Sequence, residues 1–298
     1  MPSLAANFIK YIILPLRGTK AKMTNVKKFS KSYTNSPKPC LPPKKLKRSF
    51  DINKNIIKND LEYFLVERKN KSSKFIILYL HGGAYVNNLV KPHWKIINDL
   101  MANIDGNTII PLYGLAPHYT QEDVFKQLFE LYLNIAVKYP QKEILIAGDS
   151  AGGGLALAFT QMLRDEKQKL PRGLILFSPW LDVTMTDPSL LKLQHKDKML
   201  AIPGVKWAGV KWAGKVELTN PKVSPLFGSF KDLPPIALFI GSADLLYSDA
   251  QRLKEKTIRE NLNITIYEYP ELFHVWVGAP IPEANQAMLQ VKKFVDAL

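Results

Sequence analysis

The stretch Glu143-Ile144-Leu145-Ile146-Ala147-Gly148-Asp149-Ser150-Ala151-Gly152-Gly153 decides how this chain is to be read. An apolar run of strand length stops at Ala147, a serine stands between glycines at 148 and 152, and the helical pattern "LALAFTQMLRDE" follows at once. A strand buried on both faces that passes straight into a helix is the building unit of a parallel sheet. The spacing G-x-S-x-G at such a junction is the nucleophile elbow: a tight turn lifts the serine clear of the sheet, and small neighbours leave room for the backbone. The amides that open the following helix also favour negative charge beside that serine.

The same alternation extends in both directions. "LEYFLVE" (61–67) reads as an outer strand and "FIILYL" (75–80) as a buried one. "PHWKIINDLMAN" (92–103) is helical, "NTIIPL" (107–112) is a strand, and "TQEDVFKQLFELYLNIAVKY" is a long amphipathic helix behind a threonine cap. Further on come the strands "GLILF" (173–177), "IALFI" (236–240) and "ITIYEY" (264–269), with helices around 248–261 and from Pro282. The expected fold is α/β, with a mostly parallel central sheet and helices on both faces. Ligands bind such sheets outside the carboxyl ends of the strands.

Four of those ends carry unusual residues: His81-Gly82-Gly83-Ala84-Tyr85, Gly148-Asp149-Ser150, Gly241-Ser242-Ala243-Asp244, and Pro270-Glu271-Leu272-Phe273-His274. The order serine, acid, histidine fits nucleophilic catalysis. Ser150 would attack an ester carbonyl, His274 would take and return its proton, and Asp244 would orient the imidazole. Backbone amides of Gly82, Gly83 and Ala151 are the expected oxyanion donors. Asp249 is the rival acid and otherwise a helix cap; Asp149 braces the turn, and Asp182 fixes its own loop. His81 braces the glycine loop, while His93 and His195 read as surface or cap residues. Tyr85, Trp180 and Trp276 are candidates to contact substrate, with core packing as the alternative.

At this point the chain resembles the hormone-sensitive-lipase-like branch of the α/β-hydrolase fold, especially its bacterial carboxylesterases. "HGGAY", "YGLAP" (113–117), "GDSAGGG", "SPWLD" (178–182), "SADLLYSDA" and "FHVW" carry the likeness across residues 81–276. Ala84 stands where family members commonly have a third glycine, and Gly114 and His118 replace the more usual Arg and Glu. The resemblance implies a cap made of the N-terminal segment and an insertion. The expected layout is a basic segment at 1–55 and a catalytic domain at 56–298, with the insertion at about 184–222, where alternation lapses.

Charge divides the chain in the same place. Residues 1–50 hold twelve Lys/Arg and no acid, so most of the net +15 belongs to this segment. Leu4, Ala5, Phe8, Ile9, Ile12, Ile13 and Leu16 form a helical face that Pro15 and Gly18 should end. Either it caps an apolar cleft, or residues 1–30 lie on an anionic membrane as a basic amphipathic helix. Nucleic acid is not an expected partner, because no interleaved aromatics or binding motif accompany the charge. Cys40 is the single cysteine and no metal-type Cys/His spacing occurs, so neither metal nor cofactor is expected. The expected activity is a cytoplasmic, or membrane-associated, serine carboxylesterase acting on small esters of short or medium acyl chains. Deacetylase, lactonase or arylformamidase chemistry, a membrane-docked lipase, a non-catalytic binding homologue and a homodimeric state stay open.

Overall fold

The computed structural model describes residues 1–57, 60–69 and 72–298. One sheet contains eight strands: β1 (Phe50–Ile57), β2 (Leu61–Arg68), β3 (Phe75–Leu80), β4 (Gly106–Pro111), β5 (Glu143–Asp149), β6 (Gly173–Phe177), β7 (Ile236–Gly241) and β8 (Ile264–Tyr269). Their order is β1-β2-β4-β3-β5-β6-β7-β8. From β4 to β8 every neighbouring pair is parallel, whereas β2 runs antiparallel to both β1 and β4. The carboxyl ends of β3, β5, β7 and β8 therefore open on one edge, as expected.

Strand residues alternate between two cores. Ile76, Leu78 and Leu80 of β3, with Leu174 and Leu176 of β6, face one core that also contains Leu128, Leu155 and Leu253. Ile77, Tyr79, Ile175 and Phe177 face the other, against Trp94, Ile97, Met288 and Val291. The period of two thus sends alternate side chains to opposite helical layers, which is why these strands read as unbroken apolar runs. The helices Gln121–Lys138, Ala151–Asp165 and Tyr247–Glu260 cover the first face, and Lys91–Asn103 and Pro282–Asp296 the second.

Three expectations change. β1 was not legible, and it makes residues 50–55 part of the sheet rather than of the N-terminal segment. β2 is consequently not an outer strand, since β1 pairs along its whole length and buries it. The first helix also does not stop at Pro15. Leu4–Phe8 continues through a wide turn at Ile9–Ile13 into Leu14–Arg17, ending at left-handed Gly18. Proline has no N–H and its ring crowds the carbonyl four residues back, so widening the preceding turn lets the helix accommodate Pro15.

The N-terminal segment is sewn onto the sheet's carboxyl edge. Lys10 is buried and donates to the carbonyl and carboxylate of Glu271 at 2.9 and 3.0 Å. Lys20 donates to the carbonyls of Gln194 and Asp197, in the stretch between β6 and β7. Leu78→Ala, at a fully buried site in the middle of the sheet, should lower unfolding free energy by about 2–5 kcal/mol. A shift of the urea midpoint at constant m-value would measure this loss.

Candidate active site

Ser150 lies at the junction of β5 and the helix Ala151–Asp165, with φ 52° and ψ −123°. Such a backbone conformation costs on the order of 1–3 kcal/mol and persists only when its surroundings over-determine it. They do so here. The Ser150 amide donates to the Phe177 carbonyl at 2.9 Å, and its own carbonyl accepts from Trp180 at 2.9 Å and Gly154 at 3.1 Å. The small neighbours are required: a Cβ on Gly152 would lie 2.0 Å from the Leu80 carbonyl oxygen.

The structure brings the serine, acid and histidine together from three strand ends. His274 Nε2 is 2.8 Å from Ser150 Oγ, and its Nδ1 is 2.9 and 3.1 Å from the Asp244 carboxylate oxygens. All three side chains are buried. Asp244 Oδ1 also accepts from the Leu246 amide at 2.9 Å, which fixes the carboxylate. Burial opposes a charge on the His274 ring, but the charge and hydrogen bond of Asp244 outweigh it and raise the pKa above the ordinary histidine value. The loops that carry the pair are stitched directly, with Ala243 donating to the Leu272 carbonyl at 3.1 Å and Glu271 to Ser242 Oγ at 2.8 Å. Asp249 is not the acid, and it is not a helix cap either. Its Oδ2 accepts from the Leu181 and Asp182 amides, while burial and the charge of Asp182 push its pKa up to about 8.

The glycine loop departs from expectation at one atom. The Gly82 amide donates to Asp149 Oδ1 at 3.0 Å, so it is occupied and does not face an oxyanion. Gly83, Ala84 and Tyr85 follow with φ of 122°, 53° and 61°. The amides of Gly83, Ala84 and Ala151 have no acceptor among the described residues, and Gly83 and Ala84 border the cavity beside Ser150. Free amides beside a nucleophilic hydroxyl can stabilise a developing negative charge. Ala84, which the sequence reading does not name among the oxyanion donors, is one of the residues with a free amide beside the cavity.

Asp149 is the hub of a second buried network. It accepts from the Tyr79 hydroxyl as well as Gly82, and its Oδ2 is 3.4 Å from His93 Nε2. Burial disfavours its charge, yet the neighbouring His93, Tyr79 and Gly82 donors hold its pKa below the ordinary value. His93 is therefore not a surface residue: it is buried, and its Nδ1 accepts from the Val90 amide at 3.0 Å. His195 is exposed, whereas His118 is bonded to the Thr34 carbonyl at 3.0 Å. His81 stacks on Tyr113 with ring centres 4.4 Å apart, and burial lowers its pKa to about 4, which keeps it neutral.

A cavity of about 580 Å³ lies over Ser150 and His274. Its walls are largely apolar: Ile9, Ile13, Met23 and Phe29 from the N-terminal segment, Met199 and Leu200 from the stretch after β6, and Phe273 beside the histidine. The three aromatic candidates do not line it. Tyr85 stacks on Trp212 at 4.0 Å and packs against Trp180 at 5.6 Å, while Trp276 packs against Tyr269 at 4.2 Å. Each is buried in the core, so the packing alternative holds for them. Among the described residues, no cluster of three or more His, Cys, Asp or Glu side chains could hold a metal ion.

Two further residues support the site without a motif to announce them. Asp197, fully buried, accepts from the Met199 and Leu200 amides through Oδ1 and from Leu245 through Oδ2 at 2.7 Å. It thereby ties the stretch after β6 to the residue next to Asp244, and burial together with the charge of Asp244 raises its pKa. Ser178 Oγ accepts from the Val275 amide at 3.1 Å and so holds the backbone just after His274.

Comparison with known proteins agrees with this architecture. Residues 77–278 match the model of a family described as having the alpha/beta hydrolase fold. An esterase of Acinetobacter venetianus is 32% identical over 236 residues, covering 76% of each chain. An acetyl-hydrolase of Streptomyces hygroscopicus is 28% identical over 216 residues, covering 71% of this chain and 72% of that one. Among solved structures, the esterase EstE5 superposes with a TM-score of 0.83 at 25% identity, covering 99% of this chain and 98% of that one. The chain belongs to the α/β-hydrolase family, in its hormone-sensitive-lipase-like carboxylesterase branch, and is a hydrolase of carboxylic esters.

Proposed function

We propose that Ser150 is the nucleophile, His274 the general base and acid, and Asp244 the group that orients the imidazole, in the hydrolysis of short- to medium-chain acyl esters. The observation that supports this reading best is the unbroken hydrogen-bonded row from Asp244 through both ring nitrogens of His274 to Ser150 Oγ. Ser150 Oγ adds to the ester carbonyl while its proton passes to His274 Nε2. The oxyanion receives hydrogen bonds from the amides of Gly83, Ala84 and Ala151. Collapse breaks the bond to the alcohol oxygen, which takes the proton from Nε2 and leaves an acyl-serine. Water then repeats the sequence, giving up its proton to His274, and the carboxylic acid departs.

The N-terminal segment and the 184–222 insertion form the cap that selects the substrate. Support comes from the residues of both that line the cavity and from the closeness of their backbones: a Cβ on Gly204 would lie 2.7 Å from the Met23 carbonyl oxygen. A cavity of about 580 Å³ is within the range for small-molecule sites, and its apolar walls suit an acyl chain. The acetyl-hydrolase relative is consistent with the short end of that range.

Three outcomes follow. Across p-nitrophenyl esters from acetate to palmitate, turnover should peak on short or medium chains, and Ser150→Ala should lower kcat by on the order of 10⁴-fold or more. An inert but folded wild type would sink the reading. Because the reaction needs neutral His274 and its pKa is raised, kcat/KM should fall with acidification at a pH above the ordinary value of about 6.5. Asp197→Asn removes one of the charges that raise that pKa, so this limb should move to lower pH. Stopped assays over a pH series would resolve both. Finally, Gly83→Ala places a Cβ 2.7 Å from the Asn87 carbonyl oxygen at φ 122° and should abolish activity. Ala84→Gly relieves a left-handed alanine and should keep kcat within about threefold.

A further inference from the structure

The helical stretch Leu4–Arg17 has three differently occupied rows. Ala6, Lys10 and Leu14 are buried against the body of the protein. Ile9, Ile13 and Arg17 border the cavity above Ser150. The third row, Leu4, Phe8, Ile12 and Leu16, lies in solvent with Tyr11 beside it; Leu4 is 89% and Leu16 79% exposed. Large apolar side chains in a continuous exposed row are unusual in a folded protein and mark a contact surface. The π turn does not break this row, because each member is four residues from the next.

The charge around it is one-sided. Of the twelve cations in residues 1–50, Lys10 is paired with Glu271 and Lys20 is spent on two backbone carbonyls. The other ten, including Arg17, Lys22, Lys27, Lys28 and Lys31, are exposed, and none forms an ion pair among the described residues. The segment has no acid of its own.

We infer that the Leu4/Phe8/Ile12/Leu16 row and the exposed lysines that follow it dock this protein on an anionic membrane surface. Apolar side chains entering the acyl boundary and cations meeting lipid phosphates are the two halves of interfacial binding. A second copy fits less well, since a two-fold contact sets the same patch against itself and brings both sets of uncompensated cations together. Nucleic acid would use the charge and leave the aliphatic row wet. Docked in this way, the helix puts the cavity row next to the lipid interface. Among the described residues no helix is long and apolar enough to cross a membrane, so the contact is peripheral.

The test is co-sedimentation of the full chain with phosphatidylcholine vesicles with and without about one-third phosphatidylglycerol. Expected is binding to the anionic vesicles only, weakened at least tenfold when salt is raised from about 50 to about 500 mM. Leu4→Ser/Phe8→Ser/Leu16→Ser and, separately, Lys27→Glu/Lys28→Glu/Lys31→Glu should each reduce it by roughly tenfold or more, with turnover of a soluble ester unchanged. The lysine variant keeps the test valid if the apolar one fails to fold. No binding at low salt, or binding that neither variant weakens, overturns the inference. So does a wild-type dimer that the apolar variant splits, which assigns the row to a second copy. Equal competition by single-stranded DNA, insensitive to the apolar variant, assigns the charge to nucleic acid and overturns it as well. Because vesicle binding is read without catalysis, failure here leaves the ester-hydrolase reading untouched.

Discussion

The turn at Ser150 is the constraint around which the rest is arranged. A serine at φ 52° cannot hold that conformation alone, and three backbone hydrogen bonds from the β6 region and its own helix keep it there. Around it, Gly152 lets the helix start approach the end of β3 and Gly154 lets it approach the Trp180 carbonyl after β6, each to a distance that no side chain would tolerate. The same approach brings the glycine loop, the end of β6 and the serine onto one edge. The strain at one residue is thus balanced by packing across three strands, and the chemistry depends on that balance.

Two buried carboxylates then divide the edge between them. Asp244 faces the histidine, while Asp149 takes the amide of Gly82 and the His93 and Tyr79 donors. Asp149 stands next to the serine in sequence, yet its contacts hold the glycine loop in place. It occupies the amide of Gly82, while Gly83 and Ala84 border the cavity with amides that have no acceptor among the described residues. A carboxylate buried without such donors would be costly, and here every oxygen of the two carboxylates has an N–H or O–H within reach.

Much of this could be read in the chain, and the exceptions have physical causes. The buried strands were legible because parallel strands covered on both faces are continuously apolar, and the serine, acid and histidine because each sits directly after one of them. β1 was hidden because an edge strand carrying Asn53, Lys54 and Asn55 has no apolar run, and it is defined only by pairing with β2. Asp197 lies in the polar stretch "QHKDKML", and nothing local separates it from a solvated surface acid; its importance arises from a contact with Leu245, far along the chain. Tyr85 and Trp180 were ambiguous because an aromatic beside a site and an aromatic in its supporting core look alike in sequence. Only the three-dimensional stacking with Trp212 decides between them.

The two lysine tethers of the N-terminal segment have a mechanical consequence. Lys10 ends on Glu271, three residues before the histidine, and Lys20 ends on the carbonyl of Asp197, whose carboxylate grips the residue beside Asp244. The segment is therefore fastened to the loop that carries His274 and to the support of Asp244, as well as to the helix Pro282–Asp296 through Ser3 and Glu283. Loosening these two tethers would act first on the loops that position His274 and Asp244. Local opening of this kind has a lower free energy than global unfolding. Two anchors of this segment are thus also supports of the proposed triad.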